Sequence, residues 1–134
     1  MTLNEFVGQS IGLPFRPHGR GPDAYDCWGL VCEAYRRISG LELDDYGGEY
    51  TTLKDIERLK RIFSRECGTT WQRIESPEPM DVAVIFRRGR AIHAGIYLGD
   101  GQIMHVEHGI ETTVQHATDF RVEGYYRPKE RPCR

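Results

Sequence analysis

One cysteine and two histidines are the residues of this chain whose types and order suggest chemistry. Cys27 directly follows Asp26, and His93 and His105 come later, twelve residues apart. A cysteine nucleophile needs an imidazole within hydrogen-bond reach, and that imidazole needs a third group that fixes its tautomer. These residues therefore suggest acyl transfer at a thiol, with a purely structural role for His93 as the alternative.

The helix that follows Asp26 sets the environment of the thiol. Apolar residues recur at helical spacing from residue 30 to residue 38, and Gly40 is a natural stop. Asp26 is a good N-cap residue, which places Cys27 in the first turn. The positive end of the helix dipole favours a thiolate there. The alternative is an inert cysteine, since free cysteines are among the most buried residue types.

The turn between two predicted strands decides whether the two histidines meet. His93 lies in a strand predicted over 91–98, and His105 in one over 102–106. A two-residue turn at Asp100 and Gly101 puts the two rings on opposite faces of the hairpin. A three-residue loop or a bulge puts them diagonally on the same face. Local propensity permits both, and we predict the odd-length loop or a bulge, which the Cys–His–His hypothesis requires.

The remaining pattern is helical first and strand-like later. We predict a short helix over 2–11, a Pro- and Gly-rich loop over 13–25, and a packing helix that Thr52 caps. Short strands follow over 71–74, 82–86, 91–98, 102–106, 110–115 and 124–127, and a loose tail over 129–134. Helices followed by a meandering sheet predict an α+β fold.

Composition excludes several classes of protein. The 134 residues have the length of one domain, 1–134, and 39% hydrophobic with 28% charged residues is typical of a soluble protein. A formal charge of −2 indicates no nucleic-acid or membrane-surface partner, and no apolar run is long enough to span a bilayer. The N-terminus lacks the pattern of a secretory signal. Four cysteines without a CxxC pair favour reduced thiols, made in the cytoplasm, over disulfides or zinc ligands.

Three blocks of sequence together resemble the NlpC-type cysteine peptidases: 26–31 (DCWGLV), 79–86 (PMDVAVIF) and 93–105 (HAGIYLGDGQIMH). The resemblance implies a papain-like fold, with N-terminal helices packed on a five- to six-stranded antiparallel sheet. It implies hydrolysis of the peptide stems of bacterial peptidoglycan, with Cys27 as nucleophile, His93 as general base and acid, and His105 as the group that orients His93. It implies no metal and no organic cofactor.

Two positions depart from the family pattern. Trp28 stands where members commonly have Ser, and Phe15 stands where many have Tyr. The resemblance places both, with Asp26, among the substrate-binding residues, so the departures reshape the groove. The stretch 19–31 resembles the branch encoded by phages and prophages. That branch implies other tail proteins as partners and delivery to the cell wall in the virion tail.

Two other functions remain open. A non-enzymatic tail protein that kept the fold is favoured by Trp28 and Phe15, and an assay of muropeptide release separates it from a peptidase. An acyltransferase or amidase would use the same Cys–His pair on a non-peptide amide, and product masses would identify it.

Overall fold

A computed structural model describes residues 1–43, 68–87 and 89–131. Two helices come first, α1 (Leu3–Ser10) and α2 (Cys27–Ser39). Six strands follow: β1 (Gly68–Ile74), β2 (Val82–Arg87), β3 (Arg90–Gly99), β4 (Gln102–Glu107), β5 (Ile110–His116) and β6 (Val122–Arg131). A 3-10 turn, Ala117–Asp119, joins β5 to β6.

The six strands form one antiparallel sheet in the order β1-β6-β2-β3-β4-β5. Helix α2 packs against β3 and β4. The main core lies between that helix and the sheet, and it includes Leu30, Val31, Val84, Ile96 and Met104. The predicted α+β, papain-like architecture is confirmed. No helix in the described ranges is long and apolar enough to cross a membrane.

Both ends of α2 carry the predicted caps. The Asp26 carboxylate accepts a hydrogen bond from the Gly29 N–H at 2.7 Å, which satisfies one of the unpaired donors of the first turn. Gly40 ends the helix in the left-handed conformation, with φ of 70°. These caps fix Cys27 as the first helical residue.

Most predicted elements are observed, with one correction at the C-terminal end. The helix predicted after Thr52 lies outside the described residues. The predicted loose tail is wrong over 129–131, because β6 continues to Arg131 and pairs with β1. Strand β6 pairs with β2 from Val122 as far as Tyr126, so among the described residues Pro128 has a strand partner on the β1 side but none in β2, which suits a residue without an N–H.

The hairpin of β3 and β4 combines a two-residue turn with a bulge. Gly99 pairs with Gln102, and the turn residues Asp100 and Gly101 have φ of 52° and 76°. The next pair is Tyr97 with Ile103, so Leu98 is an extra residue on β3. The odd-length loop is therefore wrong and the bulge is correct. Because side chains alternate along a strand, this one extra residue brings His93 and His105 to the same face.

Candidate active site

Cys27 lies where the start of α2 meets β3. Its side chain is half-buried. The backbone N–H groups of Ala94 and Trp28 form hydrogen bonds with its thiol. Since Ala94 is the residue after His93, the thiol lies against the part of β3 that carries His93.

The two histidines form a hydrogen-bonded pair. His93 Nε2 lies 3.0 Å from His105 Nδ1, and the rings meet edge to face with centroids 5.2 Å apart. His93 is 5% exposed and His105 is fully buried. Since His105 occupies Nε2 of His93, Nδ1 is the ring nitrogen that remains to exchange a proton with a substrate or a thiol.

Further polar and aromatic groups, which the sequence reasoning missed, surround the histidine pair. His105 Nε2 lies 2.5 Å from Oε1 of Gln115, on β5. Glu107 Oε2 lies 3.8 Å from His93 Nε2. Arg87 binds the Glu107 carboxylate through two nitrogens, at 2.9 and 3.0 Å.

An aromatic ring also contacts His105. Phe120 meets the His105 ring edge-on at 4.9 Å, and the Arg87 guanidinium lies 5.1 Å from the centre of the Phe120 ring. The sequence could have indicated Glu107, because side chains two residues apart on a strand share a face and Glu107 is two residues after His105. Gln115 could not be found this way, because it reaches His105 only through the pairing of Ile103 with Gln115 between β4 and β5.

Burial sets the protonation of the thiol and the imidazole. Burial, with a smaller contribution from the Asp26 carboxylate, raises the pKa of the Cys27 thiol to about 12, although the N–H groups of Ala94 and Trp28 act in the opposite direction. Burial lowers the pKa of His93 to about 3, although Glu107 acts in the opposite direction. Both groups are therefore neutral at neutral pH. The sequence predicted a thiolate at Cys27, whereas the structure has a neutral thiol, because desolvation outweighs the helix dipole.

Asp26 is a buried structural carboxylate. Besides capping α2, it accepts from Nη1 of Arg20 at 2.9 and 3.0 Å. Arg20 belongs to the loop before α2, and its own backbone neighbour Gly19 accepts from the Asp26 N–H at 3.2 Å. The carboxylate thus holds the loop against the start of the helix.

The two aromatic departures from the family pattern occupy different environments. Trp28 is 4% exposed and packs against Trp71, with ring centroids 5.8 Å apart. It is part of the main core, which explains how so large a residue fits directly after Cys27. Phe15 is half-buried, and its ring lies edge-on to His108 at 5.8 Å. Substrate contacts of Asp26, Trp28 and Phe15 stay predictions.

One group of side chains has the composition of a metal site. Donor atoms of His93, His105 and Glu107 all lie within 4.8 Å of one another. Imidazole nitrogens and a carboxylate are ligands that zinc accepts. In this structure the same atoms are already engaged, His93 with His105 and Glu107 with Arg87. The expectation of a site without metal stays a prediction.

Comparison with known proteins identifies the family and the fold. A sequence model of the NlpC/P60 family matches residues 12–126, which include α2, the histidine pair and most of the sheet. The chain belongs to the NlpC/P60 family. Similarity to solved structures covers most of the chain: the NlpC/p60 domain of the peptidoglycan hydrolase SagA has a TM-score of 0.66 at 18% identity, covering 92% of this chain and 94% of that one.

Two other relatives of this NlpC/P60 domain differ in their described activity. The murein DD-endopeptidase MepH of Escherichia coli K12 is 27% identical over 105 residues, which is 78% of this chain and 34% of MepH. The chain thus spans about a third of that relative. RipD of Mycobacterium tuberculosis, described as a non-catalytic domain adapted to peptidoglycan binding, has a TM-score of 0.60 at 18% identity, covering 92% of this chain and 91% of that one.

Proposed function

We propose that this NlpC/P60 domain is a cysteine endopeptidase that hydrolyses peptide stems of bacterial peptidoglycan. The observation that carries the proposal is the 3.0 Å hydrogen bond between His93 and His105, beside the strand whose Ala94 N–H contacts the Cys27 thiol. In this proposal Cys27 of α2 is the nucleophile, His93 of β3 the base and His105 of β4 the group that orients the base. Family membership and the similarity to a murein endopeptidase support the choice of substrate.

The proposed reaction begins from a neutral thiol. As the Cys27 sulfur attacks the peptide carbonyl carbon, the thiol proton moves to Nδ1 of His93, and the carbonyl oxygen becomes an oxyanion. The Cys27 backbone N–H is a candidate donor to it, and one such donor supplies about 3 kcal/mol. When the C–N bond breaks, His93 gives its proton to the leaving amine. Water then hydrolyses the thioester, His93 taking a proton from the water and returning it to sulfur.

The test compares two cysteines of the same helix. Cys27→Ala is expected to abolish release of soluble fragments from purified peptidoglycan, whereas Cys32→Ala keeps wild-type release. Mass analysis of the products identifies the bond that is cleaved. Both variants are expected to keep the far-ultraviolet circular dichroism of the parent. Retained hydrolysis by Cys27→Ala would overturn the assignment.

A second candidate is a non-enzymatic, peptidoglycan-binding or tail-assembly role. The neutral thiol and the core position of Trp28 favour it, and RipD is a precedent for a non-catalytic domain in this family. In that case the wild-type protein co-sediments with peptidoglycan sacculi but releases no fragments, and Cys27→Ala binds as the wild type does.

The proposed setting is the tail of a phage or prophage, with other tail proteins as partners and delivery to the wall in the virion. The resemblance of stretch 19–31 to that branch supports it. A tagged copy expressed in a lysogen that encodes the chain is expected to co-purify with tail particles after induction. A tagged chain that stays in the particle-free fraction contradicts this setting.

A further inference from the structure

The chain of imidazoles that begins at His93 ends on the side-chain amide of Gln115. His105 Nε2 lies 2.5 Å from Gln115 Oε1, and His105 itself is fully buried. Gln115 extends from β5, the edge strand, and reaches His105 diagonally across the β4–β5 ladder. Gln115 is thus a third polar group in line with the two histidines, and the sequence blocks shared with the family do not contain it.

An amide oxygen restricts the protons on both rings. Oxygen only accepts, so Nε2 of His105 carries the hydrogen of this bond. A neutral imidazole has one N–H, so Nδ1 of His105 is then an acceptor. The 3.0 Å bond to His93 therefore requires a hydrogen on Nε2 of His93. Nδ1 of His93 is left with a lone pair, which is what a general base needs.

We propose that Gln115 is a positioning residue that sets the tautomers of His105 and His93, so that the lone pair of His93 Nδ1 is presented to the thiol. This inference rests on the proposed peptidase function. Without Gln115, the reverse arrangement becomes accessible, with hydrogens on Nδ1 of both rings. In that arrangement His93 offers the thiol a donor and does not accept its proton.

A second contact favours the same arrangement. The Glu107 carboxylate lies 3.8 Å from Nε2 of His93, and a negative charge stabilises the nitrogen that carries the hydrogen. Arg87 holds this carboxylate in place, and Phe120 lies against the ring of His105. Because both imidazoles are buried, water competes little with these partners. Gln115, acting on His105, and Glu107, acting on His93, thus both favour the tautomer with the hydrogen on Nε2.

The direct test is nitrogen-15 NMR of the imidazoles in the wild-type protein at neutral pH. Nε2 of His93 and of His105 are both expected to carry the hydrogen, with Nδ1 of both unprotonated. Finding the hydrogen on Nδ1 of His105 overturns the proposal without any variant. Because this measurement needs no turnover, it decides the proposal even if the protein proves not to be a hydrolase.

Variants extend the test to catalysis. Gln115→Leu removes the acceptor and is expected to give mixed tautomers, with kcat lower in proportion to the fraction of the wild-type tautomer that remains and KM little changed, since a base in the wrong tautomer is inactive. Gln115→Glu keeps an acceptor oxygen and is expected to restore the wild-type tautomers. The matched control, Gln102→Leu, changes an exposed glutamine of β4 and leaves both readouts unchanged. Wild-type tautomers and kcat in a folded Gln115→Leu protein contradict the proposal.

Discussion

The carbonyl oxygen of Gly19 lies directly against the Cα of Gly29, with no room for a side chain between them. A Cβ on Gly29 would overlap this oxygen and come within 3.0 Å of the Asp26 carboxylate. The same Gly19 oxygen accepts from the Asp26 N–H. The loop before α2 is therefore packed backbone to backbone against the first turn of the helix that carries Cys27.

Gly29→Ala is expected to destabilise the protein although alanine favours helices. The added methyl group must displace the loop or the start of α2, and overpacking of this kind costs about 1–3 kcal/mol. Urea denaturation measures the change. Gly8→Ala in α1 is the control, since a Cβ there meets no atom of the described residues within 4 Å and gains up to about 1 kcal/mol of helix propensity. A Gly29→Ala midpoint at or above that of the parent contradicts the packing described.

The histidine pair depends on a second close approach, between β3 and β4. A Cβ on Gly95 would lie 2.7 Å from Ile103 Cγ2, 2.8 Å from the Met104 carbonyl oxygen and 3.2 Å from His105 Cβ. Gly95→Ala is therefore expected to push β4 outward, lengthen the bond between His93 and His105, and lower kcat in the protein that remains folded. The rate of peptidoglycan digestion under strongly native conditions measures the change in kcat. A Gly95→Ala protein with unchanged kcat and unchanged stability contradicts the prediction.

Acid is expected to unfold the protein partly through His93. Its pKa is lowered from 6.5 to about 3 by burial. Between these values the unfolded chain binds the proton and the folded protein does not, so stability present above about pH 6.5 is lost as the pH falls toward 3. The total is on the order of 5 kcal/mol, from about 1.4 kcal/mol per pKa unit. Urea midpoints measured across this range check the slope.

The control for this pH dependence is a histidine outside the site. His93→Asn removes the titrating group and is expected to flatten the slope, whereas His108→Asn, at an exposed position, leaves it unchanged. The buried His105 contributes in the same direction, because burial lowers its pKa as well. Equal slopes for wild type and His93→Asn would show that another group is responsible.

The charge of Asp26 is expected to slow reaction of the thiol with electrophiles. Its carboxylate raises the pKa of Cys27. Asp26→Asn keeps an oxygen that can cap the Gly29 N–H but removes the charge, so the thiolate fraction and the rate of alkylation by iodoacetamide rise at a given alkaline pH. A Cys32→Ala background restricts labelling of α2 to Cys27, and Asp23→Asn, an exposed carboxylate of the same loop, is the control. Slower alkylation of Cys27 in the Asp26→Asn protein contradicts the prediction that the Asp26 charge slows the reaction.

Local sequence was sufficient for the elements that local physics controls. Asp26 and Gly40 were correctly predicted to mark the two ends of α2, because capping involves only neighbouring backbone groups. The apolar runs predicted β2 to β5, since alternation and burial are visible within a few residues. The end of β6 was missed, because its continuation past Pro128 depends on pairing with β1, far away in the chain.

Only the tertiary structure decided the site itself. The sequence allowed the two histidines to lie on the same face or on opposite faces of the hairpin, and one bulge at Leu98 places them on the same face. The local energies of the two arrangements differ too little for the sequence to predict which one forms. Gln115 and Glu107 joined the pair through the register of the sheet. The neutral state of Cys27 reversed the expectation from its helix position, because desolvation depends on everything packed around the sulfur, whereas the helix dipole depends only on the helix.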